Sequence, residues 1–211
     1  MGKINKRFKL ILFIVITLFF TAVYSIYAVE WERIEGYLIC VALDNKGNIE
    51  TKVEYNDCSG IVALVDRDEQ IYTISGSQSD LDKLYKTPKR RLGVLMEQNL
   101  RGKVYGHKRA LQVMIGSEKY VDDTKIVKKK GTIYCLFPHY KKTNINYIVS
   151  YKPCFQYAPH AHVLYTTDGE IMAINGSKEL VREFENSSQR VGVYLAGSIS
   201  GSEKGKYVYL K

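Results

Sequence analysis

The stretch Gln70-Ile-Tyr-Thr-Ile-Ser-Gly-Ser77 recurs near the other end of the chain as Glu170-Ile-Met-Ala-Ile-Asn-Gly-Ser177. Side chains alternate along Ile71 to Ser75 with the two-residue period that is typical of a strand with one buried face. In both copies a glycine ends the strand, because glycine adopts backbone angles that other residues avoid. The residues that follow, Gln78 to Tyr85 and Lys178 to Phe184, have the composition of a short helix. The two stretches therefore predict a strand followed by a short helix, twice.

Further matches occur in the same order around these two stretches, and such internal similarity is the signature of a repeat. The separation between matching residues stays between 95 and 100 positions. We therefore predict a tandem duplication, with a first domain at 33–115, a linker at 116–130 and a second domain at 131–211. The matches are Gly36-Tyr-Leu-Ile-Cys40 with Gly131-Thr-Ile-Tyr-Cys135, Ile61-Val-Ala-Leu-Val65 with Ala161-His-Val-Leu-Tyr165, Leu81 with Leu180, Arg91-Leu-Gly-Val94 with Arg190-Val-Gly-Val193, and Ala110-Leu111 with Tyr209-Leu210.

The predicted order in each copy is three strands, a short helix and two strands. This order resembles the five-stranded OB-fold, a small Greek-key barrel with a helix between its third and fourth strands. Ile71-Tyr-Thr-Ile-Ser-Gly76, Leu81 and Arg91-Leu-Gly-Val94, with their counterparts, resemble small exported bacterial OB-fold modules. The resemblance implies an all-β fold of two tandem five-stranded OB-like barrels, each with a short helix, after an N-terminal apolar helix. An SH3-like barrel is the main alternative.

The chain has four cysteines, and an even count in an exported chain indicates disulfides. Cys58 follows Cys40 by 18 residues and Cys154 follows Cys135 by 19. The repeat selects the pairings Cys40–Cys58 and Cys135–Cys154, one in each domain. A four-cysteine metal site is the alternative, but the closely spaced pairs that zinc sites use are missing.

The first 29 residues combine a basic start with a mostly apolar run over residues 10–29. This pattern predicts export, either through a cleaved signal peptide or with an uncleaved anchor in the inner membrane. The folded part is then periplasmic or secreted, and the protein meets a membrane only through this segment. The basic residues are Lys3, Lys6, Arg7 and Lys9.

The formal net charge is +9, and about +5 remains without the basic start. Such a charge favours acidic partners. In an OB-fold the candidate basic residues would bracket the fourth strand and the hairpin after it, where OB-folds hold oligonucleotides and oligosaccharides. Tyr140 and Tyr157 lie near predicted loops and are candidates for contact with a protein. The basic candidates are Lys89, Arg90, Arg91, Arg101, Lys103, Lys108 and Arg109.

Few residues suggest chemistry. His160 and His162 would share one face of a strand and offer two metal ligands, but no third ligand stands at an obvious spacing, and ordinary strand histidines are the alternative. The serines near Gly76 and Gly176 lack the Gly-x-Ser-x-Gly pattern of a hydrolase nucleophile. We therefore predict no catalytic residue, no metal site and no cofactor.

The sequence favours a non-enzymatic exported binding protein of the cell envelope that engages another envelope or secreted protein through its barrel loops. The alternative is a module that binds an anionic polymer of cell wall, lipid or oligonucleotide with the basic face of the first domain. A metal-assisted enzyme at His160 and His162 is a third hypothesis.

Overall fold

The long first strand of the described chain pairs with three other strands, and these pairings shape the first sheet. The computed structural model describes residues 31–52, 58–86, 90–91, 94–95, 98–105, 111–115, 125–141, 144–150 and 160–210. The elements of the first half are β1 (Trp31–Leu43), β2 (Ile49–Lys52), β3 (Ile61–Asp66), β4 (Ile71–Ser75), α1 (Gln78–Lys86), β5 (Arg90–Arg91), β6 (Val94–Leu95), β7 (Gln98–Tyr105) and β8 (Leu111–Ile115).

The first sheet has the order β2-β1-β3-β4-β8-β7, and a further antiparallel pairing of β1 with β7 closes five of its strands into a barrel. β4 and β8 run parallel, whereas the other neighbours in the barrel run antiparallel. β2 is an additional strand beside the far end of β1. The predicted all-β class and the closed five-stranded barrel are confirmed.

The second half contributes another sheet, of order β10-β9-β11-β12-β14-β13, in which β9 also pairs with β13. β12 and β14 are its parallel neighbours. A 3-10 turn, Glu203–Gly205, precedes the last strand. The elements are β9 (Ile126–Lys141), β10 (Asn144–Ser150), β11 (Ala161–Thr166), β12 (Ile171–Asn175), α2 (Lys178–Asn186), β13 (Val193–Ser200) and β14 (Tyr207–Leu210).

The strand register corrects one of the expected matches between the two halves. Ile74 and Ile174, which correspond in the repeat, pair with Val113 and Val208. The match of Ala110-Leu111 with Tyr209-Leu210 is therefore wrong. The parallel pairings make Met114 the counterpart of Tyr209, which is four residues after the expected Ala110. A short apolar dipeptide carries too little information to set a register.

A second match also fails. Arg91 and Val94 pair with each other in a small hairpin of β5 and β6, outside the barrel. Val193 instead begins β13 and pairs with Gly131 of β9. The similarity of the two segments is local, because Arg91 and Val94 belong to a separate two-stranded sheet.

The end of the expected linker is also a strand, because residues 126–130 belong to β9 and pair with β13. Their many lysines suggested a solvated segment. The strand tolerates these lysines because Lys128 and Lys130 are exposed. Residues 116–124 lie outside the described residues.

One predicted disulfide, Cys40–Cys58, is confirmed; it joins the interior of β1 to the residues just before β3, with 5.7 Å between the Cα atoms. Cys135 is buried in β9. Its predicted partner Cys154 lies outside the described residues, so that bridge stays a prediction. The N-terminal apolar segment lies outside them too, and no helix within the described ranges has the length and apolarity to cross a membrane.

Both faces of the central strands are buried. In β3, Val62 and Leu64 point into the first barrel, and Ile61, Ala63 and Val65 point out of it, yet all five are at most 1% exposed. The outward set packs against the second sheet, so residues 31–211 form one compact unit. The residues that the second sheet contributes to this shared layer are Leu136, Ala161, Val163, Ala173 and Tyr207.

Gly36 and Gly131 stand where β1 and β9 change partners. Gly36 pairs with Asp66 of β3 and also with Gln98 of β7. A Cβ atom at Gly36 would collide with the carbonyl oxygen of Val65, and a Cβ atom at Gly131 would collide with that of Tyr165. Both strands therefore need glycine at this position in order to bend across the barrel.

We expect Gly131→Ala to lower the free energy of unfolding by about 1–3 kcal/mol, because overpacking forces the backbone apart. The neighbouring change Thr132→Ala, at a half-buried position, should cost less than about 1 kcal/mol. Urea unfolding of the full-length chain measures both values. Equal costs for the two variants would contradict the steric role of Gly131.

Replacing Cys40 and Cys58 together by alanine should lower the free energy of unfolding by about 3 kcal/mol, because a closed loop of this length restricts the unfolded chain. Denaturant unfolding of both proteins under non-reducing conditions measures the difference. An unchanged midpoint would show that the bridge adds nothing to stability.

Candidate functional site

Three polar side chains meet inside the second sheet, on the face that points away from the shared layer. The Nε2 atoms of His160 and His162 are 3.0 Å apart, and Oε1 of Glu185 lies 3.3 Å from the first and 3.7 Å from the second. All three side chains are 0% exposed. We call these three residues the His-His-Glu cluster.

Strand β11 and helix α2 bring the cluster together. His162 lies on β11 and His160 immediately before it, so the two-residue period of a strand puts both rings on one face. Glu185 lies in the last turn of α2, four residues after the fully buried Val181 and thus on the same helix face. The ring of Phe137 packs against His160 with 5.1 Å between the centroids.

A buried arginine holds the last turn of α2 in place. Nη2 of Arg190 donates a hydrogen bond of 3.1 Å to the backbone carbonyl oxygen of Glu185. The Arg190 side chain is itself only 2% exposed. A cation at the C-terminal end of a helix also interacts favourably with the helix dipole. Arg190 therefore fixes the place from which Glu185 reaches the histidines.

The first barrel has nothing comparable at the matching positions. Val62 pairs with Cys40 just as His162 pairs with Cys135, so Val62 is the counterpart of His162. Val62 belongs to the apolar core of the first barrel. The architecture therefore does not itself require a polar side chain at this position.

The two histidines were recognised from the sequence, but Glu185 was missed because it is more than twenty residues away and on a helix. A signal for it was present: a glutamate four residues after an apolar Val181 interrupts the apolar face of a short helix. The sequence offers no third ligand at an obvious spacing from the histidines, and the structure supplies one, Glu185, from a distant helix.

The structure describes four of the seven basic candidates and places them on two different strands, and their role in binding stays a prediction. Arg101 and Lys103 lie on β7 itself and not in the hairpin after it; Arg101 is exposed and stands opposite Arg33 of β1. Arg90 and Arg91 form β5. Lys89, Lys108 and Arg109 lie outside the described residues.

The two tyrosine candidates receive no support as contact residues. Tyr140 belongs to the regular strand β9 and not to a loop, and it pairs with Ile145 of β10. Tyr157 lies outside the described residues. Tyr72, which could have offered a stacking surface, packs against the first core, and burial raises its pKa to about 12 with a smaller contribution from Asp66.

An exposed apolar and basic surface covers the ribbon that β9 and β13 form. Tyr194 is 67% exposed and pairs with Lys130, whose Nζ lies 5.6 Å from the centre of the tyrosine ring. Ile126 is 55% exposed on the same face, with Lys128 between it and Lys130. We call Ile126, Lys128, Lys130 and Tyr194 the ribbon surface.

A cleft of about 280 Å³ adjoins the ribbon surface, between α2 and β13, and Tyr194 forms part of its wall. Its other walls include apolar side chains of both elements: Leu180, Val193 and Leu195. The ribbon surface therefore combines a protruding aromatic ring and two lysines, and it adjoins a cleft whose walls carry apolar side chains together with Glu183 and Gln189.

The ribbon is tied to the rest of the sheet by an ion network on its other face. Nζ of Lys129 donates hydrogen bonds of 2.7 Å to Asp168 and to Glu170, and Nζ of Lys206 donates one of 2.6 Å to Glu170. The bond from Lys129, with a second from Thr166, lowers the pKa of Asp168 to about 2. The bonds from Lys129 and then Lys206 lower the pKa of Glu170.

Comparisons with models of protein families, with curated proteins and with solved structures found no match.

We expect Lys129→Met to flatten the dependence of stability on pH below pH 5. The folded carboxyls of Asp168 and Glu170 have pKa values below the roughly 4 of an unfolded chain, so their stabilisation is complete above about pH 5 and is lost as the pH falls towards 2. Urea midpoints from pH 2 to 7 measure the slope. Lys128→Met, next to it on the exposed face, is the control, and an equal change in both variants would contradict the network.

Proposed function

We propose that the chain is an exported, non-enzymatic binding protein, built from a tandem duplication of an OB-like barrel, whose ribbon surface binds an acidic protein. The parallel pairing of β4 with β8 and the helix that follows β4 support the OB-like assignment over an SH3-like barrel. The matching orders of the two sheets support the duplication.

Export is supported by the Cys40–Cys58 bridge, because disulfides persist in oxidising compartments and are rare in the cytosol. The basic and apolar start of the sequence points the same way. A non-enzymatic role is supported by the burial of the His-His-Glu cluster, since side chains with no exposed surface offer a substrate no access.

The layer of side chains that the two sheets share excludes one surface at which a partner could otherwise bind. OB-folds use the face of their second and third strands, which correspond here to β3 with β4 and to β11 with β12. The outward side chains of those strands, such as Ala63 and Val163, are buried between the two sheets. The usual ligand face is therefore occupied by the chain itself, and a partner must use other surfaces.

The observation that carries the proposal is the exposure of Tyr194 between lysines and beside an apolar cleft. Tyrosine is enriched among the residues that dominate binding energy at protein interfaces, where an aromatic anchor sits beside a pocket. Lys128 and Lys130 give this surface a positive charge, which favours an acidic partner and speeds its approach. The proposed contact is thus a strand ribbon and not the barrel loops.

A photo-crosslinking amino acid in place of Tyr194, in the full-length chain in its native cells, should capture one protein. The same amino acid in place of Lys46, which is exposed in the turn between β1 and β2, is the control. We expect the partner's affinity, measured with purified proteins, to fall at least about 30-fold in Tyr194→Ala, as at a binding hot spot.

Charge reversal at Lys128 and Lys130 should slow association and weaken its dependence on salt, whereas Lys46→Glu should do neither. Crosslinking at both positions alike, or an affinity unchanged by Tyr194→Ala, would disprove the ribbon surface as the contact.

A second candidate function is the binding of an anionic polymer by the first barrel. Arg101 and Lys103 are two residues apart on β7 and therefore share a face, and Arg33 stands opposite Arg101. Steep salt dependence of polymer binding that Arg33→Ala and Arg101→Ala reduce would favour this function, and salt-independent binding would exclude it.

A further inference from the structure

We infer that the His-His-Glu cluster is a closed structural site for one Zn²⁺ ion, independent of the proposed protein-binding function. The ligands are Nε2 of His160, Nε2 of His162 and a carboxylate oxygen of Glu185, all within 4.8 Å of one another. Imidazole nitrogen and carboxylate oxygen are ligands that zinc accepts.

The spacing of the three atoms fits a tetrahedral ion. With bonds of about 2.0–2.1 Å and tetrahedral angles, two ligands of the same zinc lie about 3.3 Å apart. The observed separations of 3.0, 3.3 and 3.7 Å bracket that value. Two Nε2 atoms and one carboxylate oxygen therefore form three corners of a tetrahedron without rearrangement of strand or helix.

Burial argues for a ligand as well. The first barrel places Val62 where the second has His162, so the fold itself does not call for three fully buried polar side chains at one point. Each neutral imidazole has one lone pair, and a metal at Nε2 accepts both of them once the protons lie on Nδ1.

The site would tie helix α2 to strand β11. His160 and His162 belong to the strand side, and Glu185 is held in the last turn of the helix by Arg190. Zinc prefers closed four-coordinate sites in structural roles, whereas catalytic sites keep a position open to substrate. The described residues supply three ligands and leave the fourth position to water, but the three ligands have no exposed surface for a substrate to reach, and this burial assigns the cluster a structural role.

The test uses the full-length chain with a tag that contains no histidine, stripped with a chelator and then titrated with zinc. We expect one zinc per chain by elemental analysis, a rise in melting temperature on zinc addition, and a tetrahedral spectrum with Co²⁺. Glu185→Gln and His162→Val should each weaken zinc binding by at least about 100-fold, because each removes a ligand.

Glu183→Gln is the matched control, since Glu183 lies on the same helix and is exposed. It should keep the affinity and the thermal shift of the unchanged protein. His162→Val introduces the residue that the first barrel has at this position, so we expect the variant to fold. If a variant does not fold, the metal content and the cobalt spectrum of the unchanged protein still test whether the site binds zinc.

Three results would overturn the inference. The unchanged protein could bind no zinc, which would leave the cluster as hydrogen-bonded side chains. It could bind zinc equally in Glu183→Gln and Glu185→Gln, which would show an adventitious ion only. A Co²⁺ spectrum of octahedral type would also exclude the tetrahedral site.

Discussion

Strands β1 and β9 can each pass between two of their three partner strands because they carry no side chain at the point where those two pairings meet. At Gly36 and Gly131 a Cβ atom would strike a carbonyl oxygen of the adjacent strand, so glycine lets the strand bend and pass from one partner to the next. The pairing of β1 with β7 and of β9 with β13 depends on this bend. The closure of each sheet in turn fixes how the other strands are oriented, because side chains along a strand of a closed sheet point alternately into it and out of it.

The burial of the side chains that point out of the two sheets explains where the candidate surfaces lie. Outward side chains of β1, β3 and β4 pack against those of β9, β11 and β12, and this layer removes the face that OB-folds use for ligands. The ribbons that close the sheets stay outside the layer. They carry Tyr194 with its lysines on one side of the protein and Arg33 with Arg101 on the first barrel. The proposal that partners bind through the ribbons rests on this burial of the outer faces.

The side chains that point into the two sheets account for two different cross-links, one in each half of the chain. The first barrel is bridged by Cys40–Cys58, which restricts the unfolded chain. The second sheet brings His160, His162 and Glu185 to a single point, where the zinc ion that we propose would join strand to helix. Small β domains bury limited apolar surface, so a cross-link in each half has a clear physical purpose.

The sequence by itself determined the β class, the places of both short helices, the Cys40–Cys58 bridge and the pair of histidines. These follow from local information: alternation along a strand, glycine at a strand end, and the order of repeated segments. Register, the hairpin of β5 and β6, and the strand at 126–130 were decided by tertiary structure, because short apolar motifs match in several alignments. Glu185 and the ribbon surface were likewise decided there. Their parts are distant in sequence, and only the closed sheets and the buried layer between them bring those side chains together or leave them exposed.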